Sequence, residues 1–354
     1  MKKTLLALAV ASLAATSVNA AEIYKAENAS VDFYGQLRTE LKGSDDSISL
    51  EDGAQDGKVT LGAGSSRMGI TADYTITDGL GIMGLVELGV GSGDVNVRQH
   101  ILGVVTDFGT LKFGEQWTVS DDIYGADYSY FFGGSALGYS NVSGASHDSL
   151  IKYNLDLENF FVAANYGLNE DDSNQDLMEV FVGGNVAGLD LHVGFGQVKD
   201  NTPDEDNNKF PELKDTYYQG TVAYDFGGAS IGFTYYNTKI EVENQSAKIN
   251  GYSLAGTFDW ADNATAYTGF EYTDQELTGL VEAALPAQFK EDDTSTVIYV
   301  GTDYHFNSFT RLYVEAAYQD GRTLGFTNKA SDEFVGVAVV DGGFSWGVGA
   351  RVYW

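Results

Sequence analysis

The sequence predicts an all-β fold, a 16-stranded antiparallel β-barrel closed across a membrane. Three observations carry that prediction. Apolar and polar residues alternate with period two from Val31 to the C-terminus, as strands with two chemically different faces do. The links between these strands alternate between minimal turns and long acidic loops, the pattern of outer-membrane barrels with turns on one side and loops on the other. Aromatic residues crowd the short-turn end, at Phe108, Phe160, Phe226, Trp260, Phe306, Phe309 and Trp354, as a girdle at a membrane interface would.

Residues 1–20 stand apart. Lys2 and Lys3 precede an apolar run from Leu5 to Ala15, followed by the small-residue site Val18-Asn19-Ala20. This is the build of a secretory signal peptide cleaved before Ala21. The run is shorter than the ~20 residues a spanning helix requires. The mature chain, 21–354, is then expected to be a single barrel domain.

The strands follow in order. In the first, Val31, Phe33, Leu37 and Leu41 share a face, opposite Asp32, Gln36, Arg38 and Glu40. In the second, Met68, Ile70, Ala72, Tyr74 and Ile76 face away from Arg67, Thr71 and Asp73. Similar segments cover 80–91, 97–107, 110–118, 148–156, 160–169, 176–187, 189–199, 215–226, 230–242, 249–261, 264–277, 294–306 and 309–320. The last strand is 343–354, where Phe344, Trp346, Val348, Ala350, Val352 and Trp354 share a face. Residues 332–342 also alternate, but a barrel with both ends on one side needs an even number of strands. Residues 333–340 are therefore assigned to the last external loop. The long links are 43–57, 119–147, 170–175, 200–214, 278–293 and 322–332.

Charges sharpen the reading. Arg38, Arg67, Glu87, Arg98, Lys152, Glu179, Asp190, Asp259, Glu271, Asp303, Arg311, Glu315 and Arg351 all oppose the apolar face of their strand. A lipid-facing Arg or Lys near the bilayer centre costs roughly 2–4 kcal/mol, so these side chains belong inside. Two places break the rule. Lys112 and Glu115 have opposite parity within one strand, which calls for a bulge or a wall covered by a partner. Lys239 and Glu241 share parity with Ile231 and Phe233 and are expected above the lipid band.

Composition excludes several functions. With 51 Asp+Glu against 20 Lys+Arg, the formal net charge is −31, and it becomes two units more negative once Lys2 and Lys3 leave. A nucleic acid requires a basic face and is not an expected partner. The absence of cysteine removes disulfides, thiolate zinc sites and a Cys nucleophile. The four histidines lack metal or triad spacing, and no metal or cofactor is expected. Gly79-Leu80-Gly81-Ile82-Met83-Gly84 fits G-x-G-x-x-G, but no helix follows it, as a nucleotide site demands.

The mature start AEIYKAENASVDFYGQLRTELKG, the segments SSRMGI and VRQHILGVVTDFGTLKFGEQW, and the aromatic end Gly349-Ala350-Arg351-Val352-Tyr353-Trp354 resemble the trimeric general diffusion porins of Gram-negative outer membranes, with an OmpU-like flavour. The resemblance spans the mature chain and implies an outer-membrane location. It also implies a water-filled channel for ions and small hydrophilic solutes, and a homotrimer. In that family the third external loop folds into the lumen and narrows it, and 119–147 is the longest strand-free link here. Its Asp127-Tyr128-Ser129-Tyr130-Phe131-Phe132-Gly133-Gly134 is similar to the family's loop tip, keeping Phe132, Gly133, Gly134 and the acid Asp127. Tyr130 and Phe131 stand where Pro and Glu are usual, so Asp121 and Asp122 become candidate constriction acids.

On the facing wall, Arg67 and Arg98 match two of the family's arginines. Gln36 and Asn154 fall where basic residues are usual, and Arg38 and Lys152, two residues along on the same face, would supply those charges. Gly349, Val352 and Trp354 resemble the family's barrel-assembly signal. The second loop, Ser92 to Asn96, is a minimal turn, which implies a less latched trimer. The acidic loops predict cation preference, contact with lipid and lipopolysaccharide, and candidate divalent-cation bridges without EF-hand spacing. Two other functions fit an outer-membrane barrel. A hydrolase could use His147 beside Asp148 and Ser146, a grouping that only geometry could test. An adhesin or receptor would act through the external loops.

Overall fold

Strands in hydrocarbon must satisfy every backbone N–H and C=O, and only a closed ring leaves no free edge. The computed structural model describes residues 20–49, 53–91, 93, 95–134, 136, 145–168, 175–201, 211–243, 245–278, 293–323 and 338–354, and it forms such a ring. The strands are β1 (Ala29–Ser44), β2 (Arg67–Thr77), β3 (Leu80–Gly89), β4 (Asn96–Thr106), β5 (Gly109–Trp117) and β6 (Ser146–Asp156). They continue as β7 (Phe161–Gly167), β8 (Gln175–Val186), β9 (Leu189–Asp200), β10 (Leu213–Asp225) and β11 (Ala229–Val242). The remainder are β12 (Gln245–Ala261), β13 (Ala264–Thr278), β14 (Thr294–Asn307), β15 (Thr310–Thr323) and β16 (Ala338–Tyr353). Each pairs antiparallel with the next, and β16 returns to β1 through Gln36↔Tyr353 to Ser44↔Ser345. The result is a closed 16-strand antiparallel barrel.

The two faces divide as the alternation predicts. Ile70, Val193, Phe233, Leu254, Val300 and Val348 are exposed on the outside. Glu87, Lys152, Glu179, Glu271, Glu315 and Arg351 are buried on the inside. Phe108, Phe160, Phe226, Trp260, Phe306 and Phe309 are exposed around the short-turn end. A second belt, which the sequence reading missed, lies nearer the loops: Tyr218, Tyr235, Tyr252 and Tyr318, with Tyr235, Tyr252 and Tyr272 in ring contact across three strands. Tyr252 and Trp260 are eight residues apart on β12. At ~3.4 Å per residue and the usual tilt, that spacing makes a band on the order of 20 Å tall. Lys239 and Glu241 lie on the loop side of Tyr235 and pair with each other at 2.6 Å.

Glycine has a steric role in this wall. Inward tyrosines lie flat over glycines of the adjacent strand: a Cβ on Gly301 would stand 2.2 Å from Tyr267, and one on Gly349 would stand 2.2 Å from Tyr313. Gly269 bears the same relation to Tyr299, and Gly196 to Tyr217. These rings fill the lumen side without pushing the strands apart.

Several boundaries differ from the expectation. Ala338–Val340, assigned to the last loop, instead opens β16, pairing with β15 through Gly321↔Val340 and Thr323↔Ala338. The register shifts between Gln319 and Gly321, opposite Asp341-Gly342, and Gly342 takes φ 63. That bulge breaks the alternation where a sequence reading would look for continuity. Residues 333–337 lie outside the described residues. β6 begins at Ser146, inside the segment assigned to the long link. The link 43–57 carries short strands at Ser47–Ser49 and Gly53–Gln55, and Val59–Gly62 pairs with the loop end of β1. Ala21–Ala26 forms a hairpin with β1, Ala21 opposite Phe33, on the edge where Trp354 exchanges both backbone bonds with Gly35 (2.9 and 3.1 Å).

Two polar anomalies resolve. β5 itself alternates regularly, with Lys112 lining the interior and Glu115 on the other face opposite His100. The bulge lies in β6, between His147 and Leu150. On β4 it is the odd residues, Ile101 and Val105, that are buried on the inner face. Arg98 reaches the interior because the β3–β4 register shifts between Glu87 and Leu88.

Candidate functional site

The β5–β6 link turns inward at once. Thr118 caps the single turn α1 (Val119–Asp122), its hydroxyl accepting from the Asp121 N–H (3.4 Å). The chain then runs along the inner wall from β8 to β16, fixed by buried carboxylates of the strands. Glu179 on β8 accepts from the Val119 N–H (2.8 Å) and the Ser120 hydroxyl (2.7 Å). Thr234 on β11 accepts from the Ala126 N–H (2.7 Å). Glu315 on β15 accepts from the N–H groups of Tyr130 (2.6 Å), Phe131 (3.3 Å) and Phe132 (2.8 Å). Glu271 on β13 takes those of Gly134 (2.6 Å) and Ala136 (3.2 Å). Each carboxylate offers two oxygens that can accept several backbone N–H groups at once, so the loop is held by its main chain.

Aromatic packing completes the seat. Tyr130 and Phe131 pack with Tyr267, Tyr299 and Tyr313. The Tyr130 hydroxyl donates to Asp303 (2.8 Å) and accepts from Arg311 (2.7 Å). Burial pushes this phenol above its ordinary pKa, with Arg311 opposing, so it stays neutral and serves both contacts. Arg351 lies over the rings of Tyr130 (4.9 Å) and Tyr313 (4.7 Å). Gly133 fits only because it lacks a Cβ, which would meet Tyr299 at 2.6 Å, and Gly134 takes φ 93. Phe132 is half-buried against Phe131.

With the loop seated on the β8–β16 side, the open space lies against β1–β7. Arg38 is buried, its N–H bonded to the Ser66 hydroxyl (2.9 Å). With its amide oxygen turned toward them, Gln36 accepts from Arg67 (2.7 Å) and Arg38 (3.0 Å). Glu87 receives Tyr34 (2.9 Å) and Arg98 (2.9 Å), with Arg67 at 3.7 Å, and Arg98 stacks on Trp117 at 4.7 Å. Lys152 holds the carbonyls of Trp117 (2.8 Å) and Thr118 (3.4 Å) and pairs with Asp122. The structure therefore brings Asp122 to the basic wall, with Asp121 beside it bonded to Tyr124 (3.2 Å). Asp127 is a correction. It is fully buried and accepts from the Ser129 N–H (2.8 Å), so its carboxylate braces the loop and does not face the passage.

At the seam, Val352 points outward, Gly349 receives Tyr313, and the Trp354 ring packs on Phe33 at 6.1 Å. Sequence reasoning placed Glu87, Glu179, Glu271 and Glu315 inside by parity but had no signal for what they bind. His147 is buried and Asp148 exposed, on opposite faces of β6, so the grouping proposed for a hydrolase does not assemble. Among the described residues no cluster suits a metal ion.

A closed barrel with an apolar exterior, a charged interior and a loop seated within it defines a porin-type outer-membrane barrel. The sequence profile of the Gram-negative porins matches residues 7–324, and the chain belongs to that family. OmpT of Vibrio cholerae, an outer membrane protein solved after in-vitro folding, superposes with TM-score 0.82 at 43% identity, covering 94% of this chain and 100% of that one. The major outer membrane protein of Pasteurella multocida (strain Pm70) is 25% identical over 96% of this chain and 99% of its own. The anion-selective porin of Comamonas acidovorans shares the fold, with TM-score 0.71 at 16% identity, over 92% of this chain and 100% of that one. The protein is an outer-membrane porin.

Proposed function

We propose that this porin is a cation-preferring homotrimeric channel through which ions and small hydrophilic solutes diffuse passively. The observation that carries this reading is the division of the lumen: one side is filled by the loop, and the other is left open and lined by charge. Arg67, Lys152 and Asp122 line that open space, with Arg98 held beside it on Glu87, so a polar solute meets both signs of charge while an apolar one must disturb ordered water. That arrangement supports a constriction role for these residues, with Arg38 behind them. Homotrimerisation is supported by the trimer form recorded for OmpT of Vibrio cholerae.

Cation preference rests on carboxylates near the passage, since charges beyond about 8 Å are screened at physiological salt. The short-turn end supplies them: Asp32, Asp73, Asp156, Asp190 and Asp259 all have inward parity on their strands. Passive diffusion requires no chemical step, and a channel reading needs no catalytic residue. Reversal potentials of the purified protein in a planar bilayer under a KCl gradient test the proposal. They should favour potassium, more strongly at low salt. A preference for chloride would refute the electrostatic part, and a membrane of unchanged resistance would refute the channel itself.

A further inference from the structure

Among the described residues, the lysines and arginines of the sixteen strands point inward except for four. These are Lys199 on β9, Lys214 on β10, Lys239 on β11 and Lys248 on β12. Each shares parity with an exposed residue of its own strand, Val193, Tyr218, Phe233 and Leu254 respectively, so all four face away from the lumen. They occupy consecutive strands, and the register sets them against one another. Lys199 is directly opposite Lys214, and Lys239 directly opposite Lys248. Like charges in that relation are destabilising, and two such pairs side by side in a chain with 51 acidic and 20 basic residues call for an anion from outside it. Glu241 takes Lys239 at 2.6 Å. Asp176 and Glu276 lie opposite Lys199 and Lys248 on the flanking strands. Among the described residues, however, Lys199, Lys214 and Lys248 form no ion pair.

The sequence of outward residues shows what surrounds them. From the short-turn end upward, β11 presents Ile231, Phe233, Tyr235, Asn237 and Lys239, and β12 presents Leu254, Tyr252, Asn250 and Lys248. Apolar, aromatic, amide and ammonium groups follow one another as hydrocarbon, interface and headgroup do in a bilayer. The Tyr235 hydroxyl and the Asn237 amide both donate to the Asn250 side-chain oxygen (2.9 Å each). The four lysines stand ten to thirteen residues from the short-turn ends of their strands at Leu189, Asp225, Ala229 and Ala261. At ~3.4 Å per residue and a ~40° tilt, that is roughly 25–35 Å along the membrane normal, at or above the top of a ~25 Å apolar band. The centres of the two lysine pairs are separated by two strands and two residues, roughly 12 Å. Lysine is a common point-charge partner of phosphate.

We infer that the outer face of β9–β12 is a docking surface for a phosphorylated lipid of the external leaflet, one phosphate seated on Lys199 and Lys214 and a second on Lys239 and Lys248. The contact is direct, ammonium to phosphate oxygen, so it needs no divalent ion, unlike a bridge built on loop carboxylates. It also assigns this part of the wall to lipid and not to a neighbouring subunit. Nothing in it depends on what crosses the lumen.

The test is native mass spectrometry of the purified full-length protein in detergent, titrated with diphosphoryl lipid A in the presence of EDTA. Bound lipid should saturate, and the same lipid stripped of both phosphates should bind at least tenfold more weakly. Lys214→Gln combined with Lys248→Gln disables both pairs and should raise the half-saturating concentration at least tenfold, and each single substitution severalfold. The corresponding double Arg variant should retain the wild-type value, as should Lys58→Gln, which alters an exposed lysine of the loop beside β1. Circular dichroism of each variant reports whether the barrel has formed. Equal affinity of wild type and the double Gln variant would overturn the surface. Binding lost in EDTA and restored by magnesium would overturn direct contact in favour of carboxylate bridges. Displacement of the lipid by inorganic phosphate at matching concentration would overturn the lipid, leaving only an anion site.

Discussion

Glu315 is a single carboxylate answering three consecutive backbone amides, those of Tyr130, Phe131 and Phe132. Its removal strands donors that cost about 1–3 kcal/mol each when buried and unpaired. Glu315→Ala should therefore loosen the loop, giving larger and noisier open-channel currents in bilayer recordings, whereas Glu315→Gln, which keeps one acceptor oxygen, should be milder. Gly301 tests packing in place of polarity. Gly301→Ala drives a methyl to 2.2 Å from Tyr267, an overpacking that typically costs 1–3 kcal/mol. It should lower the thermal unfolding midpoint, and Tyr267→Ala in the same chain should restore part of the loss. At this scale the sequence was half legible. Parity put Glu179, Glu271 and Glu315 inside, but parity names a face and not a partner. Asp127 could not be judged at all, since whether a loop carboxylate faces water or the wall depends on where the loop is seated.

Strands were more legible than residues, because each carries its signal many times over. β8 to β15 follow the alternation closely, and every inner or outer assignment along them repeats the same choice. Arginine on the outer face should therefore be penalised by depth. Val300→Arg, at the middle of β14 and exposed to lipid, should destabilise the barrel by about 2–4 kcal/mol in vesicles, and Val186→Arg, beside the Ala187-Gly188 turn, by only about 0–1 kcal/mol. Denaturant titration of lipid-folded protein reads the difference. Two of the boundaries that were missed share one cause. Ala338–Val340 and Ser146 both sit beside a bulge, and a single inserted residue reverses the face of everything beyond it. Ala21–Ala26 was missed for another reason: a short, exposed strand has too few buried positions to show a period.

At the level of the whole molecule, the acidic composition and the sorted loops were enough for the fold and for the membrane. They were not enough for the lumen, where the loop's path from β8 to β16 brings Val119 and Ala136 into contact with strands far away in sequence. Trp354 and Ala21 sit in line along one edge of β1, opposite Gly35 and Phe33, so the wall has no architectural beginning. A circularly permuted gene that splices Trp354 to Ala21 through a brief glycine tether and opens at Gly227-Gly228 should still refold in detergent, with unaltered unitary conductance, because neighbouring termini are the geometry that tolerates such rewiring.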